Sequence, residues 1–154
     1  MNKGVILNKK TVIFDLDGTL ALIDKRRDLA TKNGKMDWDV FFNPDNIDLD
    51  IPNDAVVQVA KLLSTTHSIW ILSGRSDVRH QATIDWLNKH DIWFDHLIMR
   101  PKNHLYMKDS DLKKMWLDSI GKDNIDMVFD DRNQVVDMWR QNGLTTFQVA
   151  KGDF

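Results

Sequence analysis

The stretch Val12-Ile13-Phe14-Asp15-Leu16-Asp17-Gly18-Thr19 decides how this chain folds. Three apolar residues in succession, two of them β-branched, predict a strand buried on both faces. Such strands belong to parallel sheets, whereas half-exposed strands alternate apolar with polar. The run ends in two aspartates one residue apart, and Gly18-Thr19 then turns the chain.

Working outward, short apolar runs predict strands at residues 11–14, 68–72, 97–99, 127–129 and 146–149. Helical spacing fills the gaps. Val56, Val59, Ala60 and Leu63 share one face, and Ser76 can cap a helix reaching about His90. Leu112, Met115, Trp116 and Ile120 form a stripe that stops at Gly121. Val135, Val136 and Trp139 form another that stops at Gly143, glycine being a common helix end. Pro44, Pro52 and Pro101 fall between periodic segments, where breakers belong. Strands alternating with helices predict a doubly wound, mostly parallel five-stranded α/β sheet with helices on both faces. The chain of 154 residues fits one domain spanning 1–154. Residues 21–51 break the rhythm and are too long for an ordinary βα loop. They read as a flap, or minimal cap, over a site.

In open α/β sheets the site lies at the carboxyl ends of the strands. There the sequence places Asp15-Leu16-Asp17-Gly18-Thr19, Ser73-Gly74-Arg75 and Asp130-Asp131-Arg132. Four carboxylates at one sheet edge repel one another unless a cation joins them. Oxygen ligands favour Mg²⁺, and a metal with carboxylates commonly handles phosphate. Ser73-Gly74, with a helix starting near Ser76, would offer N–H groups to an anion. Arg75 could grip a phosphate through two parallel hydrogen bonds.

Spacing alone carries little here, because all 23 acidic residues are aspartate and glutamate is absent. Asp-x-Asp also occurs at Asp37/Asp39, Asp48/Asp50 and Asp109/Asp111, none of which follows an apolar strand. Those three copies read as loop surface. The net charge of −2 excludes a strongly basic nucleic-acid-coating protein. The lack of cysteine excludes disulfides, cysteine zinc sites and thiol catalysis. No stretch approaches the ~20 apolar residues of a membrane span, and residues 1–10 carry three lysines without a long apolar run. The expected compartment is the cytoplasm, away from membranes. The oligomeric state is open, a homo-oligomer included. Trp70, Trp86, Trp93, Trp116 and Trp139 read as core packing. Trp38 lies in the flap, where an aromatic can stack a nucleobase. His67, His80, His90, His96 and His104 show no ligand spacing.

Residues 12–19 resemble the first motif of the haloacid dehalogenase-like (HAD) phosphohydrolases. Ile71-Leu72-Ser73-Gly74-Arg75 resembles their second motif, and Val128-Phe129-Asp130-Asp131 their fourth. The third motif is a basic residue on the helix before the fourth strand, with Lys108, Lys113 and Lys114 as candidates. A closer resemblance covers nearly the whole chain. Arg26-Arg27, His96-Leu97-Ile98-Met99-Arg100, Lys108-Asp109-Ser110-Asp111-Leu112-Lys113, the Asp130-Asp131-Arg132 to Met138-Trp139-Arg140 run and the tail Gln148-Val149-Ala150-Lys151-Gly152-Asp153-Phe154 are similar to the phosphatase domain of bacteriophage-type polynucleotide kinase/phosphatase. That match puts Lys113 at the third motif. No G-x-x-x-x-G-K-[ST] phosphate loop is present, so a free-standing phosphatase is expected.

The resemblance implies a Rossmann-like HAD sheet and a Mg²⁺-dependent phosphomonoesterase. Asp15 would attack phosphorus to form an aspartyl-phosphate, and Asp17 would act as general acid and base. Mg²⁺ would be held by Asp15, the backbone carbonyl of Asp17, Asp130 and Asp131. Ser73 and Lys113 would balance the phosphoryl oxygens. Gly18 and Thr19 would shape the loop, with Gly74 and Arg75 at the phosphate. Arg26 and Arg27 would meet a second phosphate or a nucleic-acid backbone. The expected substrate is a 3′-phosphorylated polynucleotide end. Two other functions remain: a nucleotidase on free mononucleotides, and a non-enzymatic phosphoryl-accepting or end-binding module. The latter leaves Asp17 without a task.

Overall fold

The structure, a computed structural model, describes residues 9–154, so most of the lysine-bearing stretch 1–10 lies outside the described residues. β1 (Thr11–Phe14) is followed by a flap-like insertion. This comprises β2 (Ala21–Leu22), α1 (Asp24–Ala30), the hairpin β3 (Thr31–Lys32) and β4 (Lys35–Met36), α2 (Trp38–Phe41), a 3-10 segment (Pro44–Leu49) and β5 (Ile51–Pro52). The sheet then resumes through α3 (Asp54–Leu63), β6 (Ser68–Ser76), α4 (His80–Lys89), β7 (His96–Arg100), α5 (Asp109–Ile120), β8 (Ile125–Asp130), α6 (Asn133–Gln141) and β9 (Thr146–Gln148).

Five strands pair in the order β7-β6-β1-β8-β9, and every pairing is parallel. The first strand in sequence therefore runs down the middle. Its residues divide between two cores: Val12 and Phe14 face one, with Val57, Ala60, Trp86 and Leu87 from α3 and α4. Ile13 faces the other, with Leu112, Trp116, Val135 and Trp139 from α5 and α6. A strand covered on both sides needs an apolar residue at every position, which is the pattern read from the sequence.

Three local expectations change. Ser76 caps no helix, because its hydroxyl makes no cap hydrogen bond. β6 runs on through Ser76, a 3-10 turn covers Asp77–Arg79, and α4 begins only at His80. No helix N-terminus therefore lies at Ser73-Gly74. Trp93 is not core: it follows α4 in a loop and is 63% exposed. The insertion is ordered by its ends, where β2 pairs antiparallel with β5, Ala21 to Pro52 and Leu22 to Ile51. Phe41, Ile47 and Ala30 fasten it to the α3/α4 face of the sheet. Among the described residues no helix is long and apolar enough to cross a membrane.

Candidate active site

β1 and β8 run side by side, with Phe14 beside Phe129, so Asp15 and Asp130 emerge at the same edge. Asp15 N–H donates to the Phe129 carbonyl at 2.9 Å, which holds the two strand ends together. Oxygens of Asp15, Asp130 and Asp131 all lie within 4.8 Å of one another, and all three residues are buried. Thr19 hydroxyl sits between two of them, 3.4 Å from both Asp15 Oδ2 and Asp131 Oδ1. Gly18 turns the loop at φ +82°, and a Cβ there would overlap the Asp131 carboxylate. Only glycine accepts both conditions.

α5 supplies one cation. Lys113 Nζ donates to Asp15 Oδ1 at 2.8 Å and to Asp130 Oδ2 at 3.0 Å, with the side chain almost fully buried. Burial opposes its charge, but Asp130 and Asp15 outweigh that and push the ammonium above its ordinary pKa. Burial pushes the Asp15 carboxyl well above the usual carboxylate range. Lys113 counters this, while Asp130 and Asp131 add to it. Asp131 is also pushed up, chiefly by burial. Three carboxylates against one ammonium leave two negative charges in excess in a dry site. Hard oxygen donors with that surplus fit a divalent cation such as Mg²⁺. Asp130 is further anchored by Asp131 N–H on Oδ1 at 2.8 Å and the Trp139 indole N–H on Oδ2 at 3.3 Å.

Asp17 faces elsewhere. Its carboxylate lies outside this cluster and is turned into the flap, where Oδ1 accepts Arg26 Nη2 at 2.9 Å and Arg75 Nε at 3.0 Å. Burial alone would raise its pKa, but Arg75 and Arg26 hold it down at about 2. Asp50 closes the network. It accepts Arg26 through Nε and Nη2, each at 3.0 Å, and Arg75 Nη2 at 2.9 Å. Two carboxylates and two guanidiniums thus form a closed, neutral set.

Two of the arginines expected at a phosphate point inward. Arg26 and Arg75 are each 1% exposed, with their guanidiniums spent on Asp17 and Asp50. In this arrangement most of their N–H donors go to carboxylates, a carbonyl and the Thr83 hydroxyl. Arg27 is exposed instead, with its guanidinium 5.7 Å from the Phe154 ring centroid. Ser73 is buried within β6, and its hydroxyl accepts Arg75 N–H at 3.2 Å. Gly74 packs so closely on the Asp109 carboxylate that a Cβ would collide with it.

Asp50 and Asp109 do not belong to loop surface. Asp50 is 1% exposed, and Asp109 pairs with Arg100 and with Arg132 Nη1, the latter at 3.0 Å. Asp109 carried one usable signal, since it lies one helical turn before Lys113 and so shares its face. Asp50 carried none, its partners being 24 and 25 residues away.

Comparison with known proteins agrees with this geometry. A family model for the polynucleotide kinase PNKP phosphatase domain matches residues 9–154. A putative bifunctional polynucleotide kinase/RNA ligase of Autographa californica nuclear polyhedrosis virus is 36% identical over 92% of this chain and 20% of its own length. A chain of the solved Pnkp1/Rnl/Hen1 RNA repair complex is 36% identical, with a TM-score of 0.79 over 96% of this chain and 45% of that one. The protein thus spans a fifth to a half of these relatives. The fold is shared with a HAD-family enzyme of Bacteroides thetaiotaomicron solved with magnesium and inorganic phosphate (13% identity, TM-score 0.55, 95% and 96% of the two chains). With Asp15, Lys113, Asp130 and Asp131 converging on one strand edge and the family model covering every described residue, the chain belongs to the HAD-type phosphatase-domain family of polynucleotide kinase/phosphatases.

Proposed function

We propose that this phosphatase is Mg²⁺-dependent, works through an aspartyl-phosphate on Asp15, and removes 3′-phosphates from polynucleotide ends. The observation that carries the reading is the buried trio Asp15, Asp130 and Asp131 facing Lys113. Mg²⁺ would be held by these three carboxylates and the backbone carbonyl of Asp17, and would supply charge neutralisation at the phosphoryl oxygens. Asp15 attacks phosphorus, splitting one slow hydrolysis into two steps. Lys113, fixed between Asp15 and Asp130, stabilises charge on the transferring group. The Gly18-Thr19 turn borders the same space, and Ser73 would offer its hydroxyl to the phosphoryl oxygens.

Asp17, held ionised by Arg26 and Arg75, would have to swing out of that clamp towards Asp15 to take a proton from the water that opens the aspartyl-phosphate. Protonating the leaving alkoxide requires it to leave that clamp. Polynucleotide ends are favoured because the matched relatives are named for polynucleotide kinase, RNA ligase and RNA repair.

The test is phosphate release with Mg²⁺ from a 3′-phosphorylated oligonucleotide, beside 3′- and 5′-mononucleotides, with Asp15→Asn as the blank. Preference for the oligonucleotide is expected. Cleavage of mononucleotides alone would make the protein a nucleotidase.

A further inference from the structure

The flap carries a second constellation, built on Phe42, that the phosphatase chemistry does not use. Trp38 is 59% exposed, yet it packs on two aromatic rings. Its indole stacks on Phe42 at 5.6 Å and 18°, and its edge meets Phe41 at 5.7 Å and 88°. The Arg79 guanidinium lies over the Phe42 ring, 5.1 Å from its centroid. Its Nε donates to the Phe42 carbonyl. The neighbouring Phe41 carbonyl accepts Arg26 Nη1 at 3.1 Å. Two successive carbonyls thus hold the clamp arginine and Arg79 side by side.

Arg79 differs from its neighbours in one respect: it forms no ion pair among the described residues. Arg26 and Arg75 are balanced by Asp17 and Asp50. Arg79 is therefore an unpaired positive charge beside the clamp. Burial presses its pKa below the ordinary value, Arg26 and Arg75 add to this, and Asp39 opposes it. A half-buried cation without an ion-pair partner is stabilised by an anion, and an exposed indole packed on the same Phe42 ring is a stacking surface. Together they match one ligand chemistry, a phosphate carrying a nucleoside.

We propose that Arg79 and Trp38 form a subsite for the nucleotide adjoining the reacting end, with Arg79 on the internucleotide phosphate and Trp38 stacked on a base. This rests on the polynucleotide reading of the catalytic site and adds the surface that tells a polymer from a mononucleotide. The 3-10 turn that delays α4 gains a purpose, since it places Arg79 next to Phe42 rather than inside a regular helix. Stacking is indifferent to base identity, so the subsite selects for strand rather than sequence.

The experiment compares wild type, Trp38→Ala, Trp38→Phe and Arg79→Ala on a 3′-phosphorylated oligonucleotide, a 3′-mononucleotide and p-nitrophenyl phosphate. The ratio of oligonucleotide to p-nitrophenyl phosphate kcat/KM should fall about tenfold or more in Trp38→Ala and in Arg79→Ala. Trp38→Phe should recover most of it, which a mere packing role at an exposed position would not demand. Binding of the labelled oligonucleotide to Asp15→Asn protein, titrated against salt, should lose about 0.7 from its log–log slope when Arg79→Ala is added. An unchanged slope, or equal loss on all three substrates, overturns the subsite. If wild type prefers the oligonucleotide and both substitutions keep that preference, the subsite falls while the catalytic reading stands. If wild type shows no such preference, the subsite and the polynucleotide reading fall together.

Discussion

Arg75 reaches Asp17 from 58 residues away, its Nε 3.0 Å from Oδ1, and in doing so turns that carboxylate away from Asp15. Two aspartates separated by one leucine therefore occupy different electrostatic worlds. One shares a buried group with Asp130, Asp131 and Lys113; the other sits between two guanidiniums.

Asp50 keeps those guanidiniums paired, so Asp50→Asn leaves Arg26 and Arg75 sharing one charge. Unpairing a buried charge costs about 3–5 kcal/mol. The thermal midpoint should drop by roughly 10 °C for a domain of this size. Activity of the surviving folded protein should fall in kcat more than in KM, because Asp17 loses its fixed position. A midpoint within a degree or two of wild type would show that Asp50 is dispensable.

Lys113→Met removes the cation shared by Asp15 and Asp130. Loss of about 10²–10³ in kcat is expected, the usual consequence of deleting one fixed donor at a developing charge. Calorimetry in chelator should show a lowered midpoint that millimolar Mg²⁺ largely restores, while kcat stays low. Recovery of turnover by metal alone would remove Lys113 from the chemistry.

Asp15→Asn should abolish phosphate release while leaving the fold at least as stable in metal-free buffer, because it removes a charge that burial disfavours and its repulsion from Asp130 and Asp131, against the lost pairing with Lys113. Asp130→Asn should abolish the rise in midpoint on adding Mg²⁺. Differential scanning fluorimetry with and without the cation checks both; a persisting metal response in Asp130→Asn counts against its place among the ligands.

Gly152→Ala tests the tail. A Cβ at this position would overlap the Asp131 carbonyl oxygen and Arg132 Cα. The Gly152 carbonyl also accepts Asn133 N–H at 2.7 Å. The loop carrying Asp131 must shift to admit the methyl group. At least a tenfold fall in kcat is expected, with a weaker Mg²⁺ response of the midpoint.

The sheet was legible because a central parallel strand must be apolar at consecutive positions, and Val12-Ile13-Phe14 announces this directly. The positions of Asp15, Asp130 and Asp131 were legible too, because strand ends in such a sheet converge on one edge. Direction was harder to read. A guanidinium at a strand end can face a ligand or an interior carboxylate, and nothing local to Arg26 or Arg75 distinguishes the two. The deciding partner, Asp50, stands at the far end of the insertion, in an Asp-x-Asp that looks like every other one in a chain without glutamate. Ser76 misled for a related reason: a capping residue type reads alike whether its strand has ended or continues, and here β6 continues to it.

The two-residue pairing of β2 with β5 gives the insertion a pinned base, while both β3 and β4 are short and their turn at Asn33-Gly34 is solvent-exposed. Arg26 and Asp50, the residues it delivers to the clamp, lie close to the base rather than the tip. The tip is therefore a place where chain length can change without moving either of them. An architecture of this kind separates inheritance from invention: the stem preserves the electrostatics around Asp17, and the tip is free to grow into whatever cover a new substrate demands.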